Sequence, residues 1–424
     1  MNSKIVSAID IGSSKITTLI AQVNIDSTED AGVNIMGVSA VEAKGIKKGQ
    51  IVNIEEAVEA TIESVEASER MAGYNLDHAF ISIGGAHIAS QNSKGVVAVS
   101  NPEGEISPDD VERVIEAARA ISLPVSRQII HVIPREFIVD GEAGVKDPIG
   151  MSGVRLEVDT HIVTASSPAL KNLSRTVQEV GVSVDEVVFN GLASSFSCLT
   201  DTEKELGCSL VDIGSGTTSI VSFIDGALSY SGAIPIGARN VTNDLAIGLR
   251  VSLETAESVK RNLSKETKSK EGERRDAQIE IVEKGVNELK RVQKRTLTEG
   301  IIKPRLNEIF TMVKLELEKN NLINKIPSGL VLTGGGSLTY GIEESARRTI
   351  GLPVRVAKPG GVGGLTDDIL TPEYSSSIGL ILYGVMVEKT YGSVSQGGGI
   401  SSKMRVPNKA FFGRIVETIK ELLP

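Results

Sequence analysis

The sequence lacks an excess of positive charge. Its 424 residues include 45 lysines and arginines against 54 aspartates and glutamates, a formal net charge of −9. A protein that binds nucleic acid through its phosphates needs a basic face. The charge balance therefore argues against nucleic acid as a main partner. The length is sufficient for two large domains with a substantial core.

Cysteine and histidine are scarce, and neither occurs at the spacing of a metal site. The two cysteines, Cys198 and Cys208, lie near an apolar segment, so we expect buried thiols in a reducing cytoplasm. The four histidines occur singly, which is typical of structural histidines. No apolar run reaches transmembrane length, and the chain starts in a strand pattern without a signal peptide. We therefore expect a soluble, cytoplasmic α/β protein.

What the sequence does contain is an internal duplication. The tetrapeptide Asp-Ile-Gly-Ser begins at Asp10 and again at Asp212. Each copy ends one apolar run and is followed by two more, separated by a turn. This pattern predicts a strand, a tight glycine turn, a second strand, a turn and a third strand, built twice.

The glycine turns have the chemistry of a phosphate site. A turn without Cβ atoms lets backbone amides approach an anion, and a preceding aspartate can hold hydrated Mg²⁺. A third glycine cluster follows the apolar run 329–332 and precedes a helical pattern over 342–350. Each turn alone also fits a simple hairpin closure, but the three together favour a nucleotide. The candidate residues are Asp10, Gly12, Ser13, Ser14, Lys15, Asp212, Gly214, Ser215, Gly216, Thr217, Thr218, Gly334, Gly335, Gly336 and Ser337, with Asp10 and Asp212 as the metal ligands.

The type of nucleotide fold follows from two absent motifs. No Gly-x-x-x-x-Gly-Lys-Ser/Thr occurs, and the glycine turns join strand to strand instead of strand to helix. Duplicated phosphate hairpins with a third glycine loop resemble the actin, heat-shock chaperone and sugar kinase superfamily. That resemblance implies that Glu257 and Lys260, three residues apart on one helix face, hold the ribose and base of ATP. A surface ion pair is the alternative interpretation of these two residues.

Longer motifs narrow the resemblance to one family. "HVIPREF" (131–137), "GMSGVRLE" (150–157), "GLASS" (191–195) and "VLTGGGS" (331–337) accompany the two aspartate–glycine turns. With these motifs nearly the whole chain resembles the FtsA family of actin-related bacterial cell-division proteins. The resemblance implies an actin-like ATPase fold, ATP with Mg²⁺, and self-assembly into protofilaments. It also implies a peripheral position on the cytoplasmic side of the inner membrane at mid-cell, with FtsZ and later division proteins as partners.

The family fold divides the chain into subdomains. Between the halves lies a separate α+β module, with a helix from Pro108 to Ala120 and strands over 128–133, 136–140 and 154–164. In the family this module contacts the neighbouring subunit. The expected boundaries are 1–84, 162–197 and 362–390 for the first core subdomain, 85–161 for the inserted one, 198–244 and 305–361 for the second core, 245–304 for a smaller helical subdomain, 391–407 for a flexible linker and 408–424 for an amphipathic helix.

One position departs from the hydrolytic relatives. Chaperones and actins place a glutamate or glutamine at the start of the helix after the strand near Val187. Here Gly191 follows Asn190 at that place, and a glycine can neither orient nor deprotonate water. We expect ATP to act as a conformational ligand that is hydrolysed slowly, if at all. A sugar kinase or polyphosphate hydrolase, the enzymatic alternative on this fold, needs a carboxylate base in the cleft.

The C-terminal tail changes composition at Tyr391, where a Gly/Ser-rich linker begins. The amphipathic pattern that follows fits a membrane interface, with basic residues before it. Docking on the chain's own domain is the alternative for this helix, and a PilM-like pilus scaffold, another relative of the fold, would not be expected to end this way. The apolar face consists of Phe411, Phe412, Ile415, Val416, Ile419, Leu422 and Leu423.

The resemblance also implies a site for the acidic, apolar C-terminal peptide of FtsZ. In the family this peptide binds beside a helix around Asn240 to Asp244 and near the start of the helix predicted over 297–319. Asn240, Asp244 and Arg305 are carried over as candidates for this contact.

Overall fold

The structure is a computed structural model, and it describes residues 3–24, 32–101, 103–266, 278–282 and 289–394. The predicted membrane-targeting helix 408–424 and most of the predicted linker lie outside the described residues. No helix within the described ranges is both long and apolar enough to cross a bilayer.

The first part of the chain builds a sheet from its leading apolar runs. The central residues of the first two strands are buried nearly continuously, as expected for strands covered on both faces. The first helix starts after Asn53, whose side chain accepts a hydrogen bond from the Glu56 amide, and ends at Gly73 in the left-handed region. These elements are β1 (Ser3–Ile11), β2 (Lys15–Asn24), β3 (Val33–Glu42), β4 (Ile46–Lys47), β5 (Gln50–Ile51), α1 (Ile54–Ala72) and β6 (His78–Ile83).

The inserted α+β module is present as predicted, with one helix against a four-stranded sheet ordered β7-β10-β8-β9. Its elements are β7 (Ala89–Ala98), α2 (Pro108–Arg119), β8 (Arg127–Val139), β9 (Glu142–Val145) and β10 (Arg155–Ser166). Strand β10 crosses the expected boundary at residue 161. The prediction of two strands over 128–133 and 136–140 was wrong, because β8 is continuous. Pro134 is accommodated at a register shift opposite Asp159 and Thr160, where a strand proline is tolerated.

The chain then completes the first sheet and builds the second. Its elements are α3 (Ser167–Glu179), β11 (Ser183–Phe189), α4 (Asn190–Cys198), α5 (Asp201–Leu206), β12 (Cys208–Ile213), β13 (Thr218–Ile224), β14 (Ala227–Ile234), α6 (Ala238–Leu249), α7 (Leu253–Glu266), β15 (Gln278–Val282), β16 (Leu289–Gln293), α8 (Lys294–Leu297), α9 (Lys303–Lys319), β17 (Leu330–Thr333), α10 (Ile342–Ile350), β18 (Val354–Val356), β19 (Gly363–Gly364) and α11 (Ser375–Val394).

Three predicted boundaries in this part need correction. The helix predicted over 297–319 is interrupted by a π-helical turn, Thr298–Ile302, before α9. Pro304, which has no N–H to donate, stands at that restart. The segment 245–304 is not purely helical, because β15 and β16 form a hairpin in it. Helix α11 continues to Val394, so residues 391–394 are helical and not part of a linker.

The duplication predicted from the two aspartate–glycine turns is confirmed at the level of topology. The first sheet has the order β11-β6-β1-β2-β3, with β19 at its edge, and the second has the order β18-β17-β12-β13-β14. In both, the first three strands form an antiparallel meander, and two further strands add in parallel. The two turns therefore occupy equivalent positions in two copies of one sheet.

Buried histidines have structural roles, as predicted. His131 accepts a hydrogen bond from the Phe189 amide at 3.0 Å. His161 lies within hydrogen-bond distance of Asn92 and of Ser231 in β14, and so joins the inserted module to the second sheet. Burial lowers the pKa of His131 to about 4 and that of His161 to about 3, so both rings are neutral. Cys198 and Cys208 are buried free thiols, also as predicted.

Asp110 holds the helix of the inserted module in place. Its carboxylate accepts hydrogen bonds from the Ser100 amide (3.0 Å), from the Ser107 amide (3.0 Å) and from the Arg113 guanidinium. Ser107 in turn caps the helix, so the two side chains form a reciprocal capping box. Although burial raises the pKa of Asp110, these donors outweigh burial and hold the pKa well below its usual value. The side chain is therefore a buried carboxylate saturated with donors.

We predict that Asp110→Ala destabilises α2 by about 2 kcal/mol or more, because several donors lose their acceptor at once. Hydrogen exchange of α2 amides, compared with those of α1, measures this local opening. Asp109→Ala is the matched control, since Asp109 is an exposed acid in the same helical turn. Equal protection of α2 in the two variants would contradict the assigned role of Asp110.

Candidate nucleotide-binding cleft

The two aspartate–glycine turns have the same backbone geometry. In the first, between β1 and β2, the Gly12 amide donates to the Lys15 carbonyl at 3.1 Å. In the second, between β12 and β13, the Gly214 amide donates to the Thr217 carbonyl at 2.9 Å. A Cβ on Gly12 would lie 2.8 Å from the Lys15 carbonyl oxygen, so this turn requires glycine. The sequence repeat is thus a repeat of structure down to the turn hydrogen bond.

Lys15 directs a buried cation into the first turn. Its Nζ atom has no hydrogen-bond partner among the described residues. The nearest carboxylate oxygen, Oε2 of Glu373, is 3.6 Å away, beyond hydrogen-bond distance. The ammonium instead lies 3.3 Å from the centroid of the Tyr374 ring. Burial lowers the pKa of Lys15, and the carboxylates of Glu373 and Asp10 oppose that shift. An anion with strong acceptor oxygens would satisfy this group.

The two aspartates are held by serines from other elements. Ser82 at the end of β6 donates to Asp10 at 2.5 Å, and Ser194 in α4 donates to Asp212 at 2.6 Å. Desolvation raises the pKa of Asp10, and it raises that of Asp212 to about 6, where the charge of Asp10 adds to the effect. Two desolvated carboxylates that repel each other gain stability from a shared divalent cation. The donor set therefore fits a magnesium ion.

The third glycine cluster packs against the second aspartate. Gly334 has a φ of +79°, and a Cβ there would lie 2.2 Å from Oδ1 of Asp212. Only glycine fits this position. The neighbouring Gly335 faces open space, since a Cβ would meet only the Glu373 Cβ at 3.6 Å. This opening beside both the second turn and Glu373 has room for a ligand.

Two of the candidate hydroxyls are already committed to the backbone. Thr218 donates to the Ile236 carbonyl at 2.8 Å, and Ser337 donates to the Gly334 carbonyl at 2.7 Å. Both side chains are buried. The structure thus gives Thr218 and Ser337 a role in shaping the loops, and Gly336 is similarly packed against Ile213. The remaining candidates Ser13, Ser14, Ser215, Gly216 and Thr217 lie in the two turns themselves.

Glu257 and Lys260 form a pair in α7, with Nζ and Oε2 2.7 Å apart. Both bond to Thr242 in α6, Glu257 at 2.6 Å and Lys260 at 2.9 Å. Burial raises the pKa of Glu257, but the effect of the neighbouring Lys260 is opposite and the net pKa is lowered. The carboxylate is therefore charged at neutral pH. Helix α6 starts against the second turn, where the Ala238 amide donates to the Gly214 carbonyl. One helix therefore connects the predicted nucleoside residues to the predicted phosphate residues.

The start of α4 has no room for a water-positioning side chain at the predicted place. A Cβ-bearing residue at Gly191 would meet the Phe189 ring at 2.9 Å. Asn190 precedes it, and its Oδ1 accepts a hydrogen bond from Ser219 at 2.9 Å. An amide cannot act as a general base, and this one is held by a neighbour. Sequence analysis identified Gly191 but missed the contacts of Asn190.

The three residues predicted to bind a partner peptide lie on α6 and α9. The Arg305 guanidinium contacts Asp244 through two bonds, at 2.6 and 2.9 Å, and also contacts Glu308. The side chain of Asn240 is used to cap α6, accepting from the Gly237 amide. Ile247, one turn after Asp244, is 76% exposed. The structure thus pairs Arg305 with Asp244, one helical turn before an exposed apolar residue.

Several residues that complete the cleft carry no recognisable signal in the sequence. Ser82 lies 72 residues from Asp10, and Ser194 lies 18 residues from Asp212. Glu373 and Tyr374, which contact Lys15, come from the opposite end of the chain. A single sequence does not reveal such contacts, since they arise only when α4 and the segment before α11 pack between the two sheets.

Comparison with known proteins identifies the family. The family model described as "SHS2 domain inserted in FTSA" matches residues 85–164, and the model "Cell division protein FtsA" matches residues 209–379. Cell division protein FtsA of Borreliella burgdorferi is 39% identical, covering 96% of this chain and 97% of its own. The proteins of the same name from Pseudomonas aeruginosa and Escherichia coli are 37% and 33% identical, covering 94% and 90% of this chain and 93% and 90% of their own.

Solved structures support the fold at lower identity. The PilM–PilN type IV pilus biogenesis complex matches with a TM-score of 0.63 at 16% identity, covering 90% of this chain and 98% of that one. MreB5 of Spiroplasma citri bound to ADP matches with a TM-score of 0.54 at 14% identity, covering 93% and 99%. These two share the actin-like fold with this chain, while the closer sequence relatives are cell-division proteins. The chain belongs to the FtsA family of cell division proteins.

Proposed function

We propose that this protein binds ATP with Mg²⁺ between its two duplicated halves, polymerises on the cytoplasmic face of the membrane and anchors FtsZ filaments there. The observation that carries the nucleotide part is the buried Lys15 ammonium, which has no hydrogen-bond partner among the described residues and lies near Asp10, itself close enough to Asp212 for the two carboxylates to repel. A phosphate chain supplies the missing acceptors, and its metal neutralises the two carboxylates. The MreB5 structures from Spiroplasma citri, one bound to ADP and one to AMPPNP, support a nucleotide in this fold.

We propose slow turnover at most. Asn190 and Gly191 stand where the hydrolytic relatives carry a residue that positions water, and neither supplies a base. The same two residues disfavour the sugar kinase or polyphosphatase alternative. Bound ATP then acts by setting the conformation of a subunit for assembly, with the inserted module as the polymer contact.

Gly335→Asp is expected to abolish ATP binding. The open space at this position accepts the new side chain without a clash, so the fold is retained, while the variant places a carboxylate where nucleoside and phosphate must pass. Isothermal titration with ATP and Mg²⁺ measures the change. Gly300→Asp is the control, because Gly300 is exposed and a Cβ there also meets nothing. ATP affinity equal to wild type in the Gly335 variant would show that the nucleotide lies elsewhere.

The contact with the FtsZ C-terminal peptide is proposed for the surface around Arg305 and Ile247. Arg305 is paired with Asp244, so an acidic peptide has to share or displace that carboxylate. Apolar peptide residues against Ile247 would then provide most of the affinity. Asn240 contributes by fixing the start of α6, from which Asp244 projects.

Arg305→Glu is expected to weaken binding of the FtsZ peptide, and Asp244→Asn is expected to strengthen it, since the guanidinium is then freer to pair with the peptide. Fluorescence anisotropy with a labelled peptide measures both affinities. Arg348→Glu, at an exposed position of α10, makes the same charge change at a residue outside the proposed contact. If the Arg305 and Arg348 variants bound the peptide equally well, the surface would be assigned wrongly.

The membrane part of the proposal rests on the sequence of residues 408–424. Seven apolar side chains, partly buried at an interface, contribute about 1 kcal/mol each, and each nearby lysine or arginine adds about 1 kcal/mol on an anionic surface. Ordering the backbone opposes this by about 1–2 kcal/mol per residue. A single tail therefore binds weakly. A filament that presents many tails binds stably, because each later contact is intramolecular.

Phe412→Glu is expected to release the protein from liposomes, because it places a charge on the apolar face. Co-sedimentation with vesicles that contain anionic lipid, with and without ATP, measures attachment, and deletion of the last seventeen residues gives the baseline. Glu417→Gln alters the polar face of the same helix and should still pellet. A Phe412 variant that pelleted fully, or that lost ATP binding, would indicate a helix docked on the protein itself.

A further inference from the structure

The hairpin formed by β4 and β5 joins the two phosphate turns. At its tip, the Gly49 amide donates to the Ser13 hydroxyl oxygen of the first turn at 2.8 Å. The backbone of Lys48 packs on the second turn, since a Cβ added to Gly216 would lie 3.0 Å from the Lys48 Cα. This one hairpin therefore contacts both halves of the duplicated fold at the place where they face each other.

The hairpin tip also packs against the backbone of Gly84 and Gly85, which follow β6. A Cβ on Gly49 would lie 2.8 Å from the Gly84 carbonyl oxygen, and a Cβ on Gly85 would lie 3.2 Å from that of Lys48. Gly84 in turn packs against the Asn190 side chain at the start of α4. The third glycine cluster contacts Asp212 and Glu373 instead. The hairpin tip thus packs beside the start of α4, whereas the opening at Gly335 lies beside Glu373.

Lys48 is held in an unusual backbone conformation. Its φ is +49°, in the left-handed region that favours glycine or asparagine over lysine. Its side chain is exposed, and none of the ion pairs formed among the described residues involves it. The sequence thus retains an unpaired cation at a position where a smaller residue would fit the turn better. Strain of this kind is a reason to look for a role in binding.

The hairpin also prepares Ser13 as a donor. A hydroxyl has one proton and two lone pairs, and the Gly49 amide occupies one of the lone pairs. The Ser13 proton is then free to point towards an anion in the cleft. Lys48 and Ser13 therefore supply donors at the same end of the phosphate turns.

We propose that Lys48 binds the terminal phosphate of a nucleoside triphosphate and so distinguishes ATP from ADP. This inference rests on the proposed nucleotide site. A lysine ammonium on a flexible stem is suited to a phosphate as a mobile point charge. The terminal phosphate is the group that reaches the start of α4 when the nucleoside lies at Gly335 and the Glu257–Lys260 pair. The diphosphate lacks that group and gains nothing from Lys48.

The test compares ATP and ADP affinities of the full-length protein by isothermal titration with Mg²⁺. Lys48→Gly removes the ammonium while accepting the positive φ, and Lys48→Asn is a second variant that tolerates the same backbone. Both are expected to weaken ATP binding about tenfold, as for loss of a charge-assisted contact, and to leave ADP binding within about twofold. Lys47→Ala, one residue earlier and also exposed, should change neither affinity.

The outcomes separate this inference from the nucleotide site itself. An unchanged ATP affinity in both Lys48 variants, or an equal loss for ATP and ADP, overturns the role of Lys48 while the site stands. If Lys47→Ala weakened ATP binding as much as the Lys48 variants do, the loss would come from the general positive charge of the hairpin. That result would also overturn the role of Lys48. Wild-type protein that bound neither nucleotide would overturn the site and this inference together.

Discussion

Two carboxylates that face each other across a seam between duplicated sheets set the constraint on which the cleft depends. Asp10 and Asp212 end equivalent strands, and removal from water makes each charge unfavourable beside the other. The fold partly compensates with one serine donor for each, Ser82 and Ser194, drawn from neighbouring elements. The close approach of backbone at Gly334 and Gly12 leaves no space for side chains that could add donors. The two carboxylates, each with only a serine donor, are therefore suited to a metal ion that carries a phosphate chain.

The helices around this seam bring residues from distant parts of the chain to the two glycine turns. Helix α4 delivers Ser194 and packs on α11, while α6 starts on the second turn and carries Thr242 to the Glu257–Lys260 pair. His161 and Ser231 link the inserted module to the second sheet by a hydrogen bond, and buried apolar residues of both, among them Val163 and Leu228, pack in one cluster. The two sheets and the inserted module are therefore joined by buried apolar packing as well as by hydrogen bonds.

The parts of the fold that could be predicted from the sequence are those encoded locally. The turns at Gly12 and Gly214 were predictable because an aspartate–glycine motif between apolar runs has few other solutions, and helix 342–350 was predicted to the residue. The continuous strand β8 was missed, since Pro134 is normally read as a break and the tertiary context accommodates it. The helix predicted over 297–319 ran through Pro304 without a break, so the π-helical turn before α9 was missed as well. Likewise, Thr218 and Ser337 looked like ligands, because only the folded chain shows that their hydroxyls are taken by carbonyls.

The contact between Lys15 and Glu373 shows why Lys15 would exchange a carboxylate of its own protein for a phosphate ligand. The Lys15 side chain is 24% exposed and that of Glu373 is 42% exposed. Moving Glu373 away costs little, since water can solvate a carboxylate that is already half outside. Lys15 cannot be solvated in the same way, so it gains more from a phosphate oxygen than Glu373 loses. The exchange is favourable because the two partners are buried to different depths. Glu373 also lies two residues before the start of α11, so the residue displaced by a phosphate is close in the chain to the helix that leads towards the tail.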